Sequence, residues 1–105
     1  MQVGIESISM YTSSYYLDLK TLAEHLDQDV DKFYIGIGQE RMSVPPPDED
    51  VVTLAANATA QALEGVDISQ VDTLMFATES GIDQSKAAGV YVHSLLNLPK
   101  NIRAF

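Results

Sequence analysis

The chain has 105 residues, 46% of them hydrophobic and 20% charged, which describes one globular domain at most, large enough to bury a core. Its formal net charge of −9, with only six scattered basic residues, argues against a nucleic-acid or anionic-membrane surface. The sequence has no cysteine, so it offers no disulfide frame, zinc knuckle or thiol nucleophile; it also lacks a signal-like N-terminus and a membrane-length apolar run, and the expected compartment is the cytoplasm.

Residues 3–11 (VGIESISMY) alternate, with Val3 and Ile5 on one face and Ile8 and Met10 on the other. The single slip near Glu6 or Ser7 predicts a strand with a bulge or bend. Residues 12–16 read as a polar and aromatic loop. Asp18 is then placed to cap a helix whose Leu19, Leu22, Ala23 and Leu26 form a two-turn apolar stripe. His25 falls on the polar side near the C-terminal end, where a cation suits the helix dipole, and reads as structural.

Residues 27–42 (DQDVDKFYIGIGQERM) are less regular. Gly36 and Gly38 invite comparison with a dinucleotide fingerprint, but the third glycine position holds Arg41 and no helical pattern follows. The glycines read instead as loop positions that need positive φ or close backbone approach. Pro45, Pro46 and Pro47 enforce an extended stretch that delivers Asp48, Glu49 and Asp50 to the first turn of a second helix running through Leu63. Its alanines at 55, 56, 58, 60 and 62 predict close packing against a neighbour, and Gly65 ends it. Asn57-Ala58-Thr59 spells a glycosylation sequon that mid-helix reads as chance.

The rest of the chain is organised around residues 71–85, VDTLMFATESGIDQS. Leu74, Met75, Phe76 and Ala77 read as a strand buried on both faces of a parallel sheet. Thr78, Glu79, Ser80 and Gly81 form a polar turn, after which Ile82, Ala87, Ala88, Tyr91, Val92, Leu95 and Leu96 recur at helical spacing. Such a turn lies at the carboxyl edge of the sheet, where open α/β folds place their chemistry. Its one acid is Glu79, which on spacing alone also reads as a solvated turn carboxylate. His93, inside the apolar helix, reads as a core or interface histidine. Residues 100–105 open a further strand. A sheet this small under an Ala-rich helix leaves apolar surface uncovered, so the expectation is part of a larger α/β domain.

Four stretches together carry a family resemblance: VGIESIS, DKFYIGIGQERMSVP, DVVTLAANA and, above all, ATESGIDQSKAAGVYVHSLL. They resemble the N-terminal quarter or so of hydroxymethylglutaryl-CoA synthase, especially its bacterial form, and cover nearly the whole chain in the expected order. The resemblance implies an α/β thiolase-like fold, of which this is the N-terminal part, usually assembled as a homodimer. It implies acetyl-CoA and acetoacetyl-CoA as substrates, with no cofactor, in the mevalonate route to isoprenoids. In that chemistry a cysteine takes up an acetyl group, and a glutamate removes a proton from its methyl. The carbanion attacks the ketone of acetoacetyl-CoA beside a histidine, and water releases the product.

The family's glutamate falls on Glu79, and by position its CoA nucleotide contacts fall on Asp29 and Val30. Asp31 departs from the small residue usual before the lysine, and adds negative charge near a phosphate-bearing ligand. A base working on carbon must sit against the methyl and be partly shielded from water, as the end of a buried apolar strand would allow. Thr78 and Ser80 are placed to orient it. Asp83 and Lys86 read as a local ion pair or cap. The family's cysteine lies past the strand that starts at Ile102, and neither His25 nor His93 matches its histidine. The 105-residue chain is therefore expected to be truncated before the nucleophile and inactive alone. Two other readings stand beside it: a sibling ketoacyl or β-branching synthase acting on carrier-protein thioesters, and a non-catalytic α/β interaction module.

Overall fold

A computed structural model describes residues 3–105 and divides them into two compact units. The smaller is Thr12–Asp48. In it β1 (Tyr15–Asp18) pairs antiparallel with β2 (Arg41–Val44), Tyr15 opposite Val44 and Asp18 opposite Arg41. Tyr15 and Tyr16 thus belong to a strand, not to the loop expected at residues 12–16. Their aromatic rings suit a pleated surface, and the partner that makes them a strand lies far along the chain. Ser13 closes the open end of the pair: its Oγ lies 2.8 Å from the Val44 carbonyl and 2.7 Å from Ser43 Oγ.

The helix expected after Asp18 is α1 (Leu19–His25). Asp18 Oδ1 accepts from the amides of Lys20 and Thr21 at 3.0 and 3.2 Å, satisfying donors that the first turn leaves free. Leu19 and Ala23 are buried, while Leu26 is 51% exposed and lies just past the helix. The irregular region beyond contains one short helix, α2 (Asp31–Tyr34). Both reasons for its glycines are realised. Gly38 has φ +74°, and a Cβ at Gly36 would run into the Lys32 carbonyl.

The larger unit joins the described residues up to Tyr11 with Glu49–Phe105. Its α3 (Val51–Ala62) starts at a capping box: Asp50 Oδ1 accepts from the Val52 and Thr53 amides, and Thr53 Oγ1 accepts from the Asp50 amide. After a 3-10 turn at Ile68–Gln70 come β3 (Thr73–Leu74), α4 (Ala88–Leu95) and β4 (Arg103–Ala104). β3 and β4 are parallel neighbours, so the three elements make a βαβ unit. Val52 and Ala56 of α3 and Val92 of α4 form the buried centre, with Leu74, Phe76, Tyr91 and Leu96 packed around it. α4 lies directly on the strand because Gly89 has no side chain; a Cβ there would strike the Phe105 carbonyl.

Two expectations about strands fail in this unit. Residues 3–11 form no strand. Their backbone has no strand assignment, and Val3, Ile5, Ile8 and Met10 are exposed by 79% or more. They are tied to α3 by side chains instead, through Ser9 Oγ to the Ala58 carbonyl at 2.5 Å and Tyr11 Oη to Glu49 Oε1 at 2.7 Å. Nor is the central strand buried on both faces: Leu74 and Phe76 turn toward the helices, but Met75 is 81% exposed. Among the described residues no helix is long and apolar enough to cross a membrane.

Candidate functional site

The backbone ladder between the parallel strands extends beyond β3 itself. The Arg103 amide donates to the Asp72 carbonyl at 2.9 Å and Phe105 to Leu74 at 3.0 Å; Phe76 donates to Phe105 at 3.1 Å. Phe76 is therefore held as strand, and the chain is released from the sheet only at Ala77. Glu79 follows at the carboxyl edge, as the polar-turn reading expects. The Ser80 amide donates to Thr78 Oγ1 at 3.2 Å, and the two hydroxyls lie 3.3 Å apart. They pair with each other, not with the Glu79 carboxylate, so they fix the backbone of the turn and leave the acid free to meet a ligand.

Glu79 is exposed. The partial burial expected of it is absent among residues 3–105, because Met75 and Ala77 face outward beside it and nothing packs on them. Glu79 nonetheless lines an open cleft of about 360 Å³ together with Phe76, Thr78, Asp83, Lys86 and Ala88.

The far wall of that cleft is a loop where a helix was expected. α4 begins only at Ala88, and Ile82 is 51% exposed and outside it. Asp83 accounts for this. Its Oδ1 accepts from the Ser85 and Lys86 amides at 2.8 and 3.1 Å, folding the loop into a turn, and its Oδ2 accepts from Tyr91 Oη at 2.6 Å. The Tyr91 hydrogen bond, then the two backbone amides, hold the Asp83 carboxyl down at about 2, and the same bond pushes the Tyr91 phenol up. Of the two roles expected for Asp83 and Lys86, the cap is realised, though at a turn preceding α4. The ion pair is not formed; the Lys86 ammonium sits over the Tyr91 ring, 5.2 Å from its centroid. Tyr91 was legible only as a member of the apolar stripe. Its polar tip, on a helix starting near an aspartate, was the available signal.

The other nominated residues lie elsewhere. Asp29 and Val30 belong to the Thr12–Asp48 unit, just before α2, where Asp29 Oδ1 accepts from the Asp31 amide at 3.0 Å. His93 is half-buried in the last turn of α4, its Nε2 3.1 Å from the Pro99 carbonyl oxygen, and His25 is exposed at the end of α1. Neither lines the cleft beside Glu79. Chemically, the site is one carboxylate at a sheet edge, in a cleft shared with a hydrogen-bonded carboxylate, Asp83, and an ammonium, Lys86.

Comparison with known proteins places this geometry. Residues 1–102 match the family model described as hydroxymethylglutaryl-coenzyme A synthase N terminal. The whole chain is 44% identical to 27% of the hydroxymethylglutaryl-CoA synthase of Enterococcus faecalis. It is 32% identical to 26% of the polyketide-biosynthesis 3-hydroxy-3-methylglutaryl-ACP synthase of Bacillus subtilis. It superposes along its full length on 27% of a crystal structure of an HMG-CoA synthase complexed with CoA, at TM-score 0.85 and 43% identity. The chain thus spans about a quarter of the length of the relatives it matches.

Proposed function

The chain belongs to the hydroxymethylglutaryl-coenzyme A synthase family, with an α/β thiolase-like fold, and from that premise we propose that it supplies the general acid and base of the condensation through Glu79. The acyl group is held as a thioester on a thiol outside these residues, since the chain has no cysteine. Glu79 takes a proton from the acetyl methyl, and the carbanion adds to the ketone carbon of acetoacetyl-CoA. The reading rests on one observation: Glu79 follows the end of the parallel ladder and lines an open cleft. On the same reading the thioesters are CoA esters, with Asp29 and Val30 near the nucleotide, and two synthase chains pair in the cytoplasm. A carrier-protein substrate is the second reading, favoured by the likeness to the ACP synthase; the higher identity to the CoA-named enzyme supports the first.

The test is a chimera in which this chain replaces the matching segment of the Enterococcus faecalis enzyme. Glu79→Gln is expected to leave acetylation of the cysteine intact and to slow condensation by roughly 10²–10⁴-fold, the range that a positioned acid–base group contributes. Equal loss of both steps makes Glu79 structural. Acetoacetyl esters of CoA and of a carrier protein, offered to the same chimera, separate the two substrate readings.

A further inference from the structure

The cleft wall opposite Glu79 is a loop with no strand or helix of its own, and it is exposed along most of its length. Such a loop holds a shape only if something ties it to the core. The Asp83 turn is local; it folds residues 83–86 on themselves without fixing where they sit. The tie is the bond from Tyr91 Oη to Asp83 Oδ2 at 2.6 Å, because Tyr91 stands on α4 beside Val92, which is 1% exposed at the centre of the core. The same ring carries the Lys86 ammonium at 5.2 Å, so one side chain holds both charges of the loop.

We propose that Tyr91 is a positioning residue for the condensation: it docks the loop that carries Asp83 and Lys86 onto α4 and so fixes the wall of the cleft against which Glu79 works. The inference rests on the reading of Glu79 given above. The charged and titratable groups at the bond are Lys86 from the loop and Tyr91 itself from α4, and Glu79 from the strand exit lines the same cleft as Asp83. The phenol's donated hydrogen bond holds the Asp83 carboxyl below the ordinary aspartate value. Losing that donor both loosens the wall and lets Asp83 take up a proton more readily, while removing nothing that touches the thioester.

The experiment uses Tyr91→Phe in the chimera, which deletes the hydroxyl and keeps the ring under Lys86. Condensation is expected to slow about tenfold, short of the ~10²-fold that a full misplacement costs, with cysteine acetylation and the KM for acetoacetyl-CoA unchanged. The Asp83 carboxyl carbon, followed by NMR, should titrate higher, toward the ordinary aspartate value of about 4. Tyr91→Leu, which also releases Lys86, should slow condensation at least as much. The proposal is overturned by a Tyr91→Phe protein that condenses at the parental rate, by equal loss of acetylation and condensation, or by an Asp83 titration that does not move. Since the titration needs no turnover, it still reports on the tie should Glu79→Gln show the Glu79 reading to be wrong.

Discussion

Val92 offers the sharpest check on what holds the larger unit together. It is 1% exposed on α4 and meets Val52 and Ala56 of α3, with Leu74 and Phe76 of the strand close by. Val92→Ala deletes two methyl groups, a transfer loss of ~1.6 kcal/mol. The facing residues are themselves short, so they do not reach into the gap, and the residual cavity adds ~1 kcal/mol. Alanine's better helix propensity returns ~0.5 kcal/mol, for a net cost of about 2 kcal/mol. In a domain of this size that lowers the melting temperature by roughly 8–16 °C. Urea unfolding followed by far-UV circular dichroism measures it, with an unchanged dependence on denaturant. Leu95→Ala, on the same helix but 59% exposed, is the control and should fall within about 0.5 kcal/mol of the parent. Equal effects of the two substitutions would show that the α3–α4–strand contact is not the core.

Asp50→Ala removes the acceptor of the Val52 and Thr53 amides and should cost about 1 kcal/mol in the same urea assay. Because Asp83 is held at about 2 in the folded chain against 3.8 ordinarily, its hydrogen bonds stabilise the fold fully above the upper value. That stability is lost as pH falls through the lower one. Asp83→Asn should therefore flatten the acid limb of a stability–pH curve over that window, and a curve parallel to the parent's would refute the assignment.

The legible parts of the fold were those fixed by short-range chemistry. Asp18 capping α1, Asp50 heading α3 and the two loop glycines all act on neighbours within a turn, and each is where the residue types require it. The strand leading to Glu79 was legible for a related reason: its apolar run is continuous, and its parallel partner at Arg103–Ala104 begins as expected near the end of the chain. Two of the failures are matters of distant partners. Tyr15 and Tyr16 become strand only because Ser43 and Val44 arrive beside them, and residues 3–11 alternate like a strand but are not in one. The late start of α4 is different in kind. The helical spacing at Ile82 was real, but the Asp83 side chain competes with the helix for the Ser85 and Lys86 amides and prevails.

The position of Glu79 and its surroundings make unequal demands on these residues. Position needs only a strand that stops at the right rung and a turn that frees the carboxylate, and the Phe76–Phe105 bond with the Thr78–Ser80 pair supplies both. Shielding needs apolar surface on every side, and the chain presents it on one. Phe76 and Ala88 back the cleft, while Met75 and Ile82 lie open to water. A carboxylate so placed is open to water, whereas a base working on a thioester methyl is partly shielded from it. On the function proposed above, the drying of Glu79 must therefore come from surfaces beyond residues 3–105 or from the bound thioester itself.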